Sequence, residues 1–260
     1  MMKMTTKKPT IGVYSFSSCS GCQIAILNLE DVLVQLLDKL NIRYFHLIQS
    51  ENNEGPVDIA FIEGAITTKE HIQKLKKIRE QSQKVIAIGS CSCTGGIPAM
   101  KNLEKREDLK KLCYSLEGAE HISTIPAQGI DRYIEVDHYI RGCPITKEEF
   151  VEAVLSMLNE KRPYQRPYPV CTECRINENR CLLEEDKICL GSLSFMGCGA
   201  PCPNQGHPCI ACRGPYDDAR LSTFLRFAKE KGLNKKSLIE QFNKYVEERF
   251  DKTILEKELK

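Results

Sequence analysis

The chain has 260 residues, a formal net charge of +2, 28% charged residues and 14 cysteines. That length supports one or two domains with a real core, and the near-balanced charge excludes a strong pull toward nucleic acid or an anionic membrane. No run approaches the ~20 apolar residues of a membrane span, and the opening MMKMTTKKPT lacks an apolar h-region or twin arginine, so a cytoplasmic chain is expected, in which many cysteines mean metal or redox chemistry rather than disulfides.

Thr10–Phe16 is β-branched and aromatic and reads as a first strand. It runs into Cys19-Ser20-Gly21-Cys22 and then an amphipathic stretch, Gln23–Leu40, whose Ile24, Leu27, Val34, Leu37 and Leu40 recur at helical spacing. The first Cys-x-x-Cys therefore sits on a strand-to-helix turn, where open α/β folds place ligands and a helix N-terminus lowers thiol pKa. A thioredoxin-like redox pair shares that context.

Further alternating units follow. Ile42–Ile48 and Val57–Glu63 read as strands, Thr68–Glu80 as a charged helix with Ile72, Leu75 and Ile78 inward, and Lys74, Lys76 and Lys77 as a solvated face. Lys84–Gly89 is an apolar strand of the kind buried on both sides of a parallel sheet. It opens into Ser90-Cys91-Ser92-Cys93-Thr94-Gly95-Gly96. A helix is predicted over Asn102–Tyr114, a last strand over Tyr133–Val136, and, after Gly142-Cys143-Pro144, a helix from the capping box Thr146/Glu149 to about Asn159. The pattern predicts a flavodoxin-like, doubly wound parallel sheet over 1–160.

Residues 161–170 (KRPYQRPYPV) carry three prolines and no periodicity, the mark of a linker. A cysteine-rich module spans 171–215, and 216–260 reads as a helical extension: Asp217–Lys231 with Leu221, Phe224 and Phe227, then Asn234–Lys257 with Leu238, Phe242 and Val246.

The cysteines fall into sets. Cys19, Cys22, Cys91 and Cys143 each follow a predicted strand, and parallel strands end on one edge, so four thiolates can converge there on one 4Fe–4S site. Spacing alone leaves Cys93 as a rival to Cys91, and Cys113 reads as a buried small hydrophobe. In the module, Cys171, Cys174, Cys181 and Cys189 form one neighbouring set and Cys198, Cys202, Cys209 and Cys212 another. Without the tight Cys-x-x-Cys-x-x-Cys run of two-cluster ferredoxins, unswapped sets are the simplest parsing. So short a stretch has little apolar material, and metal ligation would supply folding energy. A zinc-stabilised interaction module is the non-redox rival, but the pairs 171/174 and 209/212 lie too far apart for an ordinary zinc ribbon and leave four cysteines unexplained.

Cys19-Ser20-Gly21-Cys22, Gly89-Ser90-Cys91 with Gly95-Gly96, Gly142-Cys143-Pro144 and the eight later cysteines, in that order, resemble the small subunit of nickel–iron hydrogenases, most of all the delta subunit of cytosolic sulfhydrogenases of the NAD(P)-linked type. The resemblance implies an electron-transfer subunit, not catalytic alone, with three 4Fe–4S clusters. The proximal one would lie on Cys19, Cys22, Cys91 and Cys143, which selects Cys91 over Cys93. The medial one would lie on Cys198, Cys202, Cys209 and Cys212, and the distal one on Cys171, Cys174, Cys181 and Cys189. It implies partners: a nickel–iron catalytic large subunit over the edge bearing Cys19 and Cys143, and flavin/NAD(P)-binding and iron–sulfur subunits, with sulfur as another acceptor. The small subunit of a deazaflavin-reducing or heterodisulfide-reductase-linked hydrogenase is the alternative. Exported members carry histidine where Cys171 stands, three medial cysteines rather than four, and a glutamate where Ile24 stands. A lower distal potential is therefore expected, and no proton-transfer role is carried over to Ile24. No nickel-binding cysteine pairs of the large-subunit kind, G-x-G-x-x-G or P-loop is present.

Overall fold

A computed structural model describes residues 8–113 and 123–245. Among them five parallel strands form one sheet in the order β2-β1-β3-β4-β5. The strands are β1 (Thr10–Ser15), β2 (Asn41–Phe45), β3 (Val57–Glu63), β4 (Ser82–Ile88) and β5 (His138–Ile140). This is the flavodoxin-like order, in which the chain reverses direction across the sheet between β1 and β3. Alternation along each strand divides the core. Ile11, Val13, Phe61, Ile86 and Ile88 face one layer, and Tyr14, Ala60, Ile62, Val85 and Ala87 the other.

The first layer holds helices α1 (Gly21–Leu27) and α2 (Asp31–Leu37), contributing Ile26 and Leu36. The second holds α3 (Lys69–Glu80), which starts on a Thr68 cap accepting the His71 N–H at 3.2 Å and buries Leu75 and Ile78. Two short helices follow in order, α4 (Gly89–Thr94) and α5 (Arg106–Cys113). Helix α6 (Lys147–Leu158) returns to the first layer with Phe150, Ala153, Val154 and Met157, the Thr146 side chain capping it by accepting the Glu149 N–H.

Three predicted elements differ. The expected helix Gln23–Leu40 is broken at Glu30, which has φ 52°, so α2 is rotated relative to α1. Ile24 and Val34 then face outward, 49% and 61% exposed; Leu40 is buried as expected, and Leu29 and Leu36 are buried with it. The last strand is His138–Ile140 rather than Tyr133–Val136. Ile130–Arg132 is a 3-10 turn, and Tyr133, Ile134 and Val136 pack on the second layer without pairing. The helix expected over Asn102–Tyr114 is a 3-10 segment, Ile97–Leu103, followed by α5, with Tyr114 outside the described residues. Cys113, expected to be buried, is exposed beside Leu112 at 83%.

Beyond α6 the chain is irregular until α7 (Val170–Ile176), and Arg166 in that stretch pairs with Glu149 and Glu152. After α8 (Pro201–Asn204) come α9 (Leu221–Glu230) and α10 (Lys235–Tyr245); the expected continuation to Lys257, Val246 included, lies outside the described residues. The cysteine-rich stretch does not stand alone. Its Leu190, Leu193 and Ala211 share a core with Leu221, Phe224 and Leu225 of α9 and Leu238 and Phe242 of α10. Phe227, expected on that stripe, gives way to Leu225 and Ala228, which are buried there.

Candidate metal centres

The ends of β1, β4 and β5 bring the first four cysteines to one edge. Cys19 and Cys22 follow β1, Cys91 lies on α4 just after β4, and Cys143 follows β5. The Cys91 thiol lies within electrostatic reach of Cys143 and Cys19, and Cys22 within reach of Cys91. Burial pushes the Cys91 thiol up to about 12, with those neighbours adding to the rise. Burial also holds the Cys22 thiol far above its ordinary range, and the Glu63 charge beside it acts in the same sense. The sequence expectation was the reverse, a pKa lowered by the helix N-terminus. Desolvation outweighs the field of a seven-residue helix.

Two glycines are needed for this closeness. A Cβ on Gly89 (φ 79°) would run into the Cys22 sulfur, and one on Gly96 (φ 51°) would lie 2.8 Å from the Cys91 nitrogen. On α4, residues two apart do not share a face. Cys93 accordingly turns into the second core layer, 1% exposed, with its sulfur 3.8 Å from the Ala87 carbonyl oxygen and 3.9 Å from that of Ile140.

Sequence reasoning passed over Glu63 as the last residue of a strand. Its carboxylate, 2% exposed, accepts the Cys22 N–H at 3.0 Å and the Gln23 side-chain amide at 2.6 Å. It thereby fixes the turn that carries the first cysteine pair. A charged residue ending an apolar strand at the β1/β3 switch point was the available signal.

In the second part Cys171 lies within reach of Cys189, Cys174 and Cys181, and burial with those neighbours pushes its thiol up to about 12. Cys209 is near Cys189, Cys212 and Cys198, and burial holds its thiol well up. Cys202 lies on α8. The sets touch one another. Cys212 lies within electrostatic reach of Cys143, the Ser90 hydroxyl donates to the Cys212 carbonyl, and the Cys209 N–H donates to the Cys189 sulfur at 3.3 Å.

Arg213, directly after Cys212, fastens this part to the sheet. Only 4% exposed, it donates to the carbonyls of Phe195 and Met196 at 3.0 Å, to that of Arg141 at 2.6 Å and to Glu149 Oε1 at 2.6 Å. These bonds border a cavity of about 550 Å³ that also includes His138, Arg141 and Arg166.

Burial disfavours the thiolate at Cys22, Cys91, Cys171 and Cys209, and positive charge beside them would restore it, which suits a metal cofactor. Among the described residues no three His, Cys, Asp or Glu side chains converge as ligands of a single ion.

Solved hydrogenases share this fold. The nickel–iron hydrogenase from Ralstonia eutropha H16 superposes with a TM-score of 0.57 at 17% identity, over 83% of this chain and 81% of that one. The [NiFeSe] hydrogenase from Desulfovibrio vulgaris Hildenborough gives 0.54 at 17%, over 82% and 96%. The family described as "NADH ubiquinone oxidoreductase, 20 Kd subunit" matches residues 19–157, and the chain belongs to it. Within that family it is a hydrogenase subunit. It is 32% identical to "Sulfhydrogenase 2 subunit delta" of Pyrococcus furiosus, over 85% of this chain and 92% of the relative. It is 35% identical to a subunit of the vhu F420-non-reducing hydrogenase of Methanocaldococcus jannaschii, over 82% and 84%. Family and cysteine content together point to iron–sulfur binding. Among the described residues no helix is long and apolar enough to cross a membrane.

Proposed function

We propose that this chain is the electron-relaying small subunit of a cytoplasmic nickel–iron hydrogenase. It would hold a proximal 4Fe–4S cluster on Cys19, Cys22, Cys91 and Cys143, a medial one on Cys198, Cys202, Cys209 and Cys212, and a distal one on Cys171, Cys174, Cys181 and Cys189. When bound, such clusters take and pass on single electrons. The observation that carries the reading is the contact between successive sets: the Ser90 hydroxyl, next to Cys91, on the Cys212 carbonyl, then the Cys209 N–H on the Cys189 sulfur. On this reading the three sets would form a line.

The residues around the line keep it in place. Glu63 holds the Cys22 turn, Gly89 and Gly96 admit the backbone close to the thiols, and Arg213 fixes the second part against the first. Amide N–H groups at the sulfurs spread ligand charge, and burial excludes water. At the sheet edge Cys19 and Cys143 are exposed, and Ile97, Met100 and Leu103 of the neighbouring 3-10 segment are between 37% and 43% exposed. This is the surface a nickel–iron large subunit would cover. Cys171 would face the electron-accepting side, where a flavin/NAD(P)-binding or sulfur-reducing module would sit. The F420-non-reducing relatives make a heterodisulfide-reductase-linked partner the second reading.

The test is iron, sulfide and zinc content of the anaerobically purified chain with its partners. About 12 irons per chain, three clusters of four, with matching sulfide and reduction by hydrogen bear the reading out. Zinc without sulfide ends it.

A further inference from the structure

Helix α7 carries Cys171 and Cys174, yet side chains from it and from the turn after it reach across to the stretch that carries Cys198 and Cys202. Asn177 donates its side-chain amide to the Gly199 carbonyl at 2.9 Å and to Asn204 Oδ1 at 3.0 Å, and Asn179 donates to the same Asn204 oxygen at 2.6 Å. Asn204, the last residue of α8, donates in turn to the Gly199 carbonyl at 3.0 Å. Glu173 holds the other end of the stretch. Its Oε1 accepts the Gly197 N–H at 2.9 Å, and its Oε2 stands 3.9 Å from the Cys198 sulfur. Both carboxylate oxygens of one α7 residue are thus set against the turn that presents Cys198. Gly197 has φ 118°, and a Cβ there would run into the Glu149 and Arg213 side chains. Those two are paired with each other at 2.6 Å, so the Arg213 charge is already matched.

We infer that Glu173 is a positioning residue that holds the Gly197–Cys198 turn and, with its carboxylate at the Cys198 sulfur, lowers the reduction potential of the medial cluster. This rests on the relay reading above, in which Cys198 is a ligand of that cluster. Reduction brings in one electron from a neighbouring cluster, with no bond formed or broken. Negative charge beside a ligating sulfur opposes that electron and favours the oxidised, less negative cluster.

The experiment is a potentiometric titration, followed by electron paramagnetic resonance, of the complex containing the full chain, unmodified and as Glu173→Gln. Glutamine keeps an oxygen for the Gly197 N–H and removes the charge. Reduction of the medial cluster should become about tenfold more favourable, which is about 59 mV higher for one electron. The proximal midpoint should stay where it is, and the distal one should move less than the medial. Glu173→Asp keeps the charge and should leave the medial midpoint closer to that of the unmodified complex; a shift as large as that of Glu173→Gln overturns the charge argument. Glu173→Ala also removes the charge, and its medial midpoint decides the matter if Glu173→Gln does not assemble. A medial midpoint that stays or falls in a charge-free variant with full iron content overturns the inference and leaves the relay standing. Equal shifts in all three clusters, or loss of the medial cluster from both charge-free variants, overturn it in favour of a purely structural role. Absence of the medial signal from the unmodified complex overturns the relay reading itself, and this inference with it.

Discussion

Cys91 and Cys93 lie two residues apart on α4 and face opposite ways, and on the proposed reading that difference would separate a cluster ligand from a core residue. Cys91→Ala should lower iron by about four atoms per chain. Cys93→Ala should keep the iron and lose roughly 1 kcal/mol of stability, because it removes one small buried group. Iron analysis and a denaturant melt on each variant separate the two outcomes, and iron loss in Cys93→Ala alone would reverse the assignment. Cys171 gives a second test. Replacing its thiolate by the neutral imidazole of Cys171→His removes a negative charge from the distal set and should raise that midpoint by on the order of 100 mV. A midpoint that falls would contradict the charge argument. Neither outcome depends on the identity of the acceptor.

At the scale of elements, the break between α1 and α2 has a physical cost. Glu30 holds φ 52° and ψ −121°, a region that side chains with a Cβ rarely occupy. Glu30→Gly should therefore stabilise the fold by about 1 kcal/mol, read from a denaturant midpoint; a loss of stability would mean that the Glu30 side chain holds the turn. Periodicity foresaw a continuous helix here because Ile24, Leu27, Val34, Leu37 and Leu40 keep a helical period straight through the break. The same limit moved the last strand. Tyr133–Val136 has strand-like residues, but on the side away from β3 it is His138–Ile140 that pairs with β4, a choice made by register across the sheet. By contrast β1, β3, α3 and α6 were legible. Their signals are local: an apolar run, a Thr68 or Thr146 cap, and a stripe such as Leu75 and Ile78.

At the scale of the whole molecule, Arg213 and His138 line the seam between the sheet and the cysteine-rich part. Arg213→Ala would leave the half-hidden Glu149 carboxylate without its closest partner, and the expected loss is about 3–5 kcal/mol. Arg213→Met together with Glu149→Leu should recover much of it, and a double-mutant cycle measures how much. Burial, and then Arg141, lowers the His138 pKa from 6.5 to about 4. Between those values the unfolded chain binds a proton that the folded chain refuses. Stability is thus complete above pH 6.5 and falls as the pH drops, by roughly 3 kcal/mol on reaching pH 4. His138→Phe should flatten that slope in melts across the same range, and an unchanged slope would place the loss elsewhere.

The sequence by itself determined the class of fold and the family, because each is carried by short-range signals: strand and helix periods, turn glycines and cysteine spacing. Tertiary structure alone decided what depends on residues far apart in the chain. It placed Glu63 behind Cys22, turned Cys93 inward, and joined Ser90 to Cys212 and Cys209 to Cys189. It also set the thiol pKa values, since desolvation depends on the atoms that surround a group in space and not on its neighbours in sequence.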